Sequence, residues 1–324
     1  MKIGFIGIGA MGRGMAANLQ NAGNELVVHD ARKEAAGAYV DKGAEWADSP
    51  RELAAEVDLV FTSLPTPHDV EAVAMGTDGL AEGFRPGATW FDLTTNSVDV
   101  IRRLHDILAE KGVVLMDAPV SGGPKGAANG RLAIWIGGDR ATYERFTPIL
   151  DQMSDDARYI GPIGAGTIAK LTHNMASLAI NAVVAEVLTM GVKAGVEPLA
   201  LWEAIRNGGA GRQRAFDNIS RRFLQGKLDP PSFALRLAFK DAQLAVQLGR
   251  EVGVPMRICN LVAMELTEAV NRGWGDRDSQ SFLILQQERA NIPPFHLSEE
   301  DIAAVLAKPA QSGYDVKSGR THDN

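Results

Sequence analysis

Lys170 and Asn174 stand four residues apart in "GTIAKLTHNM", a spacing that puts an amine and a carboxamide on one face of a helix. A lysine in a partly dry pocket is a poor ammonium, and its proton affinity falls toward the working pH. Such a lysine can exchange a proton with a hydroxyl or carbonyl oxygen, and the asparagine can orient the same oxygen. On this segment alone, a solvated lysine with its stem laid along the helix is the commoner arrangement.

A second segment supplies different chemistry. "GFIGIGAMGRG" spaces Gly7, Gly9 and Gly12 as G-x-G-x-x-G, around the loop Gly7, Ile8, Gly9, Ala10, Met11, Gly12. It follows an apolar run with strand character and opens a helical pattern, the context in which these glycines serve a dinucleotide. Gly7 permits the tight turn, Gly9 lets the backbone approach a pyrophosphate, and Gly12 lets helix and strand pack closely. The N–H groups at the helix start then face the anion. Asp30 ends the next apolar run, "ELVVHD", 18 residues after Gly12. A carboxylate there accepts from the ribose hydroxyls and repels a 2′-phosphate, so NAD is expected. Arg32 nearby leaves NADP open, and a plain turn residue is the alternative for Asp30.

"DAPVSGGPKGAANGRL" offers the Ser121 hydroxyl and the closely spaced N–H groups of Gly122 and Gly123. This set suits a carboxylate, although a flexible loop would use the same glycines. Arg212 and Arg214 on "NGGAGRQRAF" are a clamp for an acidic substrate or two solvated arginines. Lys240 and Asp241 form a charge pair in the apolar "FALRLAFKDAQLA", on a surface stripe or in a cleft. Thr94, Thr95 and Asn96 follow a strand at the cofactor end of the sheet, where capping a helix is the competing role. The six histidines show no paired metal spacing, so no metal is expected.

These residues need elements to position them. Strand patterns occur in "KIGFIG", "ELVVHD", "VDLVFTSLP", "ATWFDLT", "VVLMDAPVS" and "RLAIWIGG". Helical patterns separate them, including "ARKEAAGAYVDKG" and the amphipathic "DVIRRLHDILAEKG". Alternation of this kind implies an α/β fold with a doubly wound, mostly parallel sheet. Beyond residue 166 only helical periodicity remains, beginning with one long helix over roughly 165 to 194 and implying an all-α C-terminal domain. The expected domains are 1–163, 164–296, and a polar C-terminal tail over 297–324, whose end, "KPAQSGYDVKSGRTHDN", is expected to be flexible or draped on a partner. The net charge of -7 argues against a nucleic-acid or anionic-membrane partner, since both call for a basic surface. The single cysteine, Cys259, excludes an internal disulfide, fits a reducing cytoplasm, and is expected to be buried. No uninterrupted apolar run is long enough for a membrane span.

The segments "GFIGIGAMGRGMAANL", "DAPVSGGPKGAANGRLAIWIGG", "GAGTIAKLTHNM" and "FKDAQLA" occur in this order. Together they resemble the β-hydroxyacid dehydrogenases of the 3-hydroxyisobutyrate dehydrogenase type, over roughly residues 1 to 292. The resemblance implies an N-terminal Rossmann-type domain, an all-helical C-terminal domain and a cleft between them. It implies that Lys170 is the catalytic lysine, that Ser121, Gly122 and Gly123 hold the substrate, and that Asn174 supports it. Leu64, Pro65, Thr95 and Lys240 would line the cofactor, with Phe233 and Asp241 near the active site. Two residues depart from the family pattern: His173, where a second asparagine is frequent, and Trp135, where methionine is commoner. The expected activity is hydride transfer between NAD(H) and a small β-hydroxy acid or its semialdehyde, of the 3-hydroxyisobutyrate or tartronate-semialdehyde type. The alternatives are a non-catalytic dinucleotide-binding scaffold and an NADPH-dependent reductase of another small aldehyde or imine. The long apolar helix suggests a homodimer or homotetramer.

Overall fold

Short apolar runs, each closed by glycine, proline or a polar turn, form the strands, and helices return the chain across the sheet. In order the elements are β1 (Lys2–Ile6), α1 (Gly12–Asn21), β2 (Glu25–His29), α2 (Gly37–Val40), β3 (Glu45–Trp46), α3 (Pro50–Glu56), β4 (Leu59–Thr62), α4 (Pro67–Met75) and α5 (Leu80–Gly83). They continue as β5 (Thr89–Asp92), α6 (Val98–Ala109), β6 (Val114–Asp117), β7 (Val120–Ser121), α7 (Gly123–Ala128), β8 (Leu132–Gly137), α8 (Arg140–Leu150), β9 (Ser154–Gly161) and α9 (Ala165–Lys193). The computed structural model describes the chain except for residues 198–200, 202–203, 206–218, 233, 237, 240–241, 243–245, 247–249, 251–252, 290, 292 and 308–324.

The sheet runs β3-β2-β1-β4-β5-β6-β8-β7, with β9 paired to β8. The first six strands are parallel, and their order reverses between β1 and β4. In such a sheet the crevice beyond the carboxyl ends at the reversal is where ligands bind. β8 is antiparallel to β6 and β7. The central strands β4 and β5 are buried throughout because helices cover both faces. Alternation splits their side chains between two cores. Phe61, Phe91 and Met116 pack on one face with Phe5, and Val60, Trp90 and Leu115 on the other with Ile6.

Two compact units divide inside α9: Met1–Met175 and Ala176–Ala310. The first turns of α9, with Lys170 and Asn174, therefore belong to the unit that carries the sheet. In the second unit, Leu235, Leu266, Ala269 and Leu285 form a small core around the helix Arg257–Ala269.

The structure corrects several expectations. "VVLMDAPVS" is two strands, because Pro119 has no N–H for the ladder and the chain changes partners there. "ARKEAAGAYVDKG" is a tight turn over Lys33–Ala36 followed by the one-turn α2, since only Ala36 and Tyr39 are buried to anchor a helix. The strands β3 and β9 add to the six expected. Cys259 is only partly buried. The polar tail holds a helix, Glu299–Leu306, whose Ile302 is buried, and its end, 308–324, lies outside the described residues. Among the described residues, no helix is long and apolar enough to cross a membrane.

Candidate active site

The β1–α1 turn is built by the three glycines for different steric reasons. Gly7 has φ +92°, and a Cβ there would meet Ser63 O at 2.3 Å. A Cβ on Gly12 would lie 1.8 Å from Gly7 O, so this glycine closes the helix onto the turn. A Cβ on Gly9 would meet nothing within 4 Å, so the space over Gly9 is open. That space belongs to a cavity of about 630 Å³ lined by Gly7, Gly9, Ala10, Met11, His29, Asp30, Arg32, Leu64 and Pro65, among others. Its size suits a small-molecule or cofactor site.

The loop is held from beneath by Asp30. Its Oδ2 accepts from Ile8 N–H at 2.8 Å and its Oδ1 from Arg32 N–H at 2.9 Å. The Asp30 side chain is 10% exposed, whereas that of Arg32 is 74% exposed with its Nε 3.8 Å from Asp30 Oδ1. A carboxylate rather than a guanidinium is thus the charge fixed beside the cavity. The open pyrophosphate approach at Gly9 and this carboxylate fit a dinucleotide.

The neighbouring wall hangs on a buried acid. Asp92 is wholly buried at the end of β5, and burial pushes its carboxyl up from the ordinary aspartate value, against hydrogen bonds that favour the ionised form. Asp92 Oδ1 accepts from Thr62 Oγ1 at 2.8 Å, and its Oδ2 from Asn96 Nδ2 at 2.8 Å. Leu64 N–H donates to Thr94 Oγ1 at 3.0 Å, and Thr94 N–H to Asp92 Oδ1 at 3.2 Å. The acid therefore ties the ends of β4 and β5 together and seats Leu64 on the cavity. Thr94 and Asn96 are spent inside this network, and Thr95 is exposed and off the cavity.

The second cluster lies on β7, α7, β8 and the start of α9. Gly122 and Gly123 have φ of +132° and +63°, the two left-handed residues that turn β7 into α7. α7 packs on α1 through Gly14, whose Cβ would meet Ala127 C and Ala128 N at 2.6 Å. Asn18 Nδ2 adds a 2.7 Å hydrogen bond to Ala127 O. The cofactor helix and the serine–glycine loop are thus bolted together. Sequence reasoning does not single out Gly14 or Asn18; the signal they carry is the i, i+4 spacing of a glycine and an amide on α1.

Asp117 anchors α9. Its carboxylate is buried at the end of β6 and accepts from Gly164 N–H at 2.7 Å and Thr167 N–H at 2.6 Å, satisfying two otherwise unpaired donors at the helix start. One turn on, Lys170 is 9% exposed. Burial lowers its pKa from the ordinary lysine value, with no charged group contributing. Its Nζ lies 5.8 Å from the Trp135 ring centroid, and no hydrogen bond or ion pair joins it to another described residue. The His173 ring packs against the same indole, tilted by 50° with centroids 5.1 Å apart, and its Nδ1 lies 3.1 Å from Asn174 Oδ1. With that nitrogen protonated, the Asn174 amide oxygen is occupied and its NH₂ is left to donate.

Of the residues that the sequence predicts for the cofactor, the cavity gathers Gly7, Gly9, Ala10, Met11, Asp30, Leu64 and Pro65; Ile8 and Gly12 belong to the same loop but do not line it. Lys170, Asn174, Ser121, Gly122 and Gly123 sit on the second set of elements. Arg212, Arg214, Phe233, Lys240 and Asp241 lie outside the described residues. No group of three or more His, Cys, Asp or Glu among the described residues is arranged to hold a metal.

Comparison with known proteins decides the family. The NAD-binding domain of 6-phosphogluconate dehydrogenase matches residues 2–161, and the NAD-binding domain of NADP-dependent 3-hydroxyisobutyrate dehydrogenase matches residues 164–285. The 2-(hydroxymethyl)glutarate dehydrogenase of Eubacterium barkeri is 32% identical over 292 residues, covering 90% of this chain and 97% of that one. The chain belongs to the 3-hydroxyisobutyrate dehydrogenase-like β-hydroxyacid dehydrogenases. As a member of this family it is an oxidoreductase with an N-terminal NAD(P)-binding domain. The 3-hydroxyisobutyrate dehydrogenase of Pseudomonas aeruginosa is 36% identical over 209 residues, 64% of this chain and 70% of that one. The solved 3-hydroxyisobutyrate dehydrogenase of Mycobacterium tuberculosis, with L-serine, is 29% identical at TM-score 0.61, covering 88% of this chain and 99% of that one.

Proposed function

We propose that the chain transfers a hydride between NAD(H) and a small β-hydroxy acid or its semialdehyde, with Lys170 as the general acid/base. The observation that carries this is a lysine 9% exposed, with no described anion or acceptor beside it. An unpaired buried ammonium is costly to the fold and suited to proton transfer near neutral pH. The nicotinamide supplies or accepts the hydride. Lys170 Nζ takes the hydroxyl proton as the carbonyl forms and returns it in the reverse direction. The Asn174 NH₂ orients the reacting oxygen. Ser121 and the N–H groups of Gly122 and Gly123 receive the carboxylate. Phe233, Lys240 and Asp241, from the family resemblance, and Arg212, from its loop, complete the proposed site.

The relatives support a substrate class. Serine, 3-hydroxyisobutyrate and 2-(hydroxymethyl)glutarate, the compounds in those names, all carry a hydroxymethyl and a carboxylate on one carbon. One donor set for the carboxylate and one lysine for the hydroxyl meet that pattern. The fixed Asp30 carboxylate supports NAD over NADP. Exposed Ile168 and Leu171 on α9, and Leu261 and Met264 on the helix Arg257–Ala269, support self-association as a dimer or tetramer, to be read by light scattering.

A panel of hydroxymethyl carboxylates and semialdehydes, assayed with NAD and NADP by reduced-nicotinamide absorbance, tests the assignment. Lys170→Ala is expected to lower kcat by about 10²- to 10⁴-fold while leaving the Kd of NADH nearly unchanged. Wild-type turnover by Lys170→Ala rejects the role of the lysine, and a higher kcat/KM with NADP rejects the cofactor preference.

A further inference from the structure

Trp135 has no part in the chemistry above, yet three residues of α9 converge on it. Gly166, Lys170 and His173 are spaced i, i+4, i+7, one face of the helix. A Cβ on Gly166 would lie 2.2 Å from Trp135 O, so the helix start rests on the main chain of that residue. Lys170 Nζ lies over the indole at 5.8 Å, and the tilted His173 ring packs against it with centroids 5.1 Å apart. Trp135 N–H is itself fixed to Pro119 O at 3.1 Å, in the segment that joins β6 to β7. Ser121 pairs with Ala133 across β7 and β8, and paired residues project to the same face. Ala133 and Trp135 are two apart on one strand and share that face. The Ser121 side chain, the indole and the Lys170 ammonium therefore lie along one side of the sheet edge.

We propose that Trp135 is a positioning residue for Lys170: its main chain seats the start of α9, and its indole holds the amine toward the face that bears Ser121. The ring supplies attraction for a cation that has no described anion, and His173 packs on the ring as a second restraint. The role rests on the assignment of Lys170 as acid/base, but the seating of the amine can be measured without turnover.

The experiment compares full-length Trp135→Leu, Trp135→Phe and His173→Leu. It reads kcat, KM for the hydroxy acid, Kd for NADH, and the rate of trace acetylation of Lys170 by acetic anhydride, measured by mass spectrometry at mildly alkaline pH. Trp135→Leu is expected to lower kcat by about tenfold with KM and NADH Kd within about twofold, because the ring's attraction for the amine is lost. Lys170 acetylation rises several-fold, since the amine loses both cover and stabilisation of its charged form. Trp135→Phe restores both readouts toward wild type. His173→Leu gives the same signs at smaller size and serves if Trp135→Leu does not fold. Wild-type kcat and acetylation rate in Trp135→Leu overturn the proposal, as does failure of Phe to restore either in a chain that still binds NADH. Full turnover by Lys170→Ala defeats the acid/base assignment instead, and the acetylation rate still reports whether Trp135 seats the amine.

Discussion

Gly9 and Gly12 share one motif, and the structure separates what each does. Alanine at Gly9 adds a methyl that meets nothing within 4 Å, whereas alanine at Gly12 places one 1.8 Å from Gly7 O. The backbone at Gly9 does not take the left-handed conformation, so alanine is accommodated there without strain. Removing glycine's freedom from the unfolded chain stabilises by about 0.4–1 kcal/mol. Gly9→Ala is therefore expected to melt at the wild-type temperature or about 1–2 °C above it. Its methyl occupies the space a pyrophosphate must enter, and the Kd of NADH should rise by about 10- to 100-fold, or about 1.4–2.7 kcal/mol. Gly12→Ala must push α1 off the turn by more than an ångström, at about 1–3 kcal/mol or more. Its Tm falls by several degrees, and cofactor affinity falls with it. Thermal melts without cofactor and isothermal titration with NADH read the two effects separately. Wild-type NADH affinity in Gly9→Ala, or a loss of stability matching Gly12→Ala, refutes the assignment of the open space over Gly9 to a dinucleotide.

Two more outcomes follow from the second cluster. Burial lowers the pKa of Lys170, so between that lowered value and 10.5 the native state holds fewer protons than the unfolded chain. The cost of the buried charge is present in full below that window and is relieved as pH rises through it; Lys170→Met should be more stable near neutral pH by about 1 kcal/mol, with the gap closing toward pH 10.5 in denaturant melts. Gly14→Ala drives a methyl into the α7 backbone at 2.6 Å; it should cost about 1–3 kcal/mol in melts and raise KM for the hydroxy acid more than for NAD, because the serine–glycine loop shifts with α7.

The contrast between Asp30 and Asp117 shows how far the chain could be read. The spacing of Asp30, at the end of a strand 18 residues past Gly12, predicts a place beside the cofactor, because that spacing is set by one strand–helix–strand unit. Asp117 stands at the end of a strand too, in a segment whose serine and glycines drew the attention. Its role as the anchor of α9 depends on residues 164 and 167, brought to it by β8 and β9, and no local spacing announces that. The sequence groups Thr94, Thr95 and Asn96, and one position decides whether a side chain joins the network of buried Asp92, as Thr94 and Asn96 do, or faces solvent, as Thr95 does.

The sequence by itself determined the alternation of strands and helices, six of the strand segments, the glycine turn, the i, i+4 amine and amide, and the family. Each is encoded within a few turns of chain, where periodicity and backbone sterics act locally. Only the tertiary structure decided that Lys170 is buried with no ion-pair partner among the described residues, that the indole of Trp135 lies beneath it with His173 alongside, and that Gly14 lets α1 and α7 touch. Those facts depend on which surfaces meet after the chain has crossed the sheet, and desolvation, unlike spacing, is a property of neighbours distant in sequence.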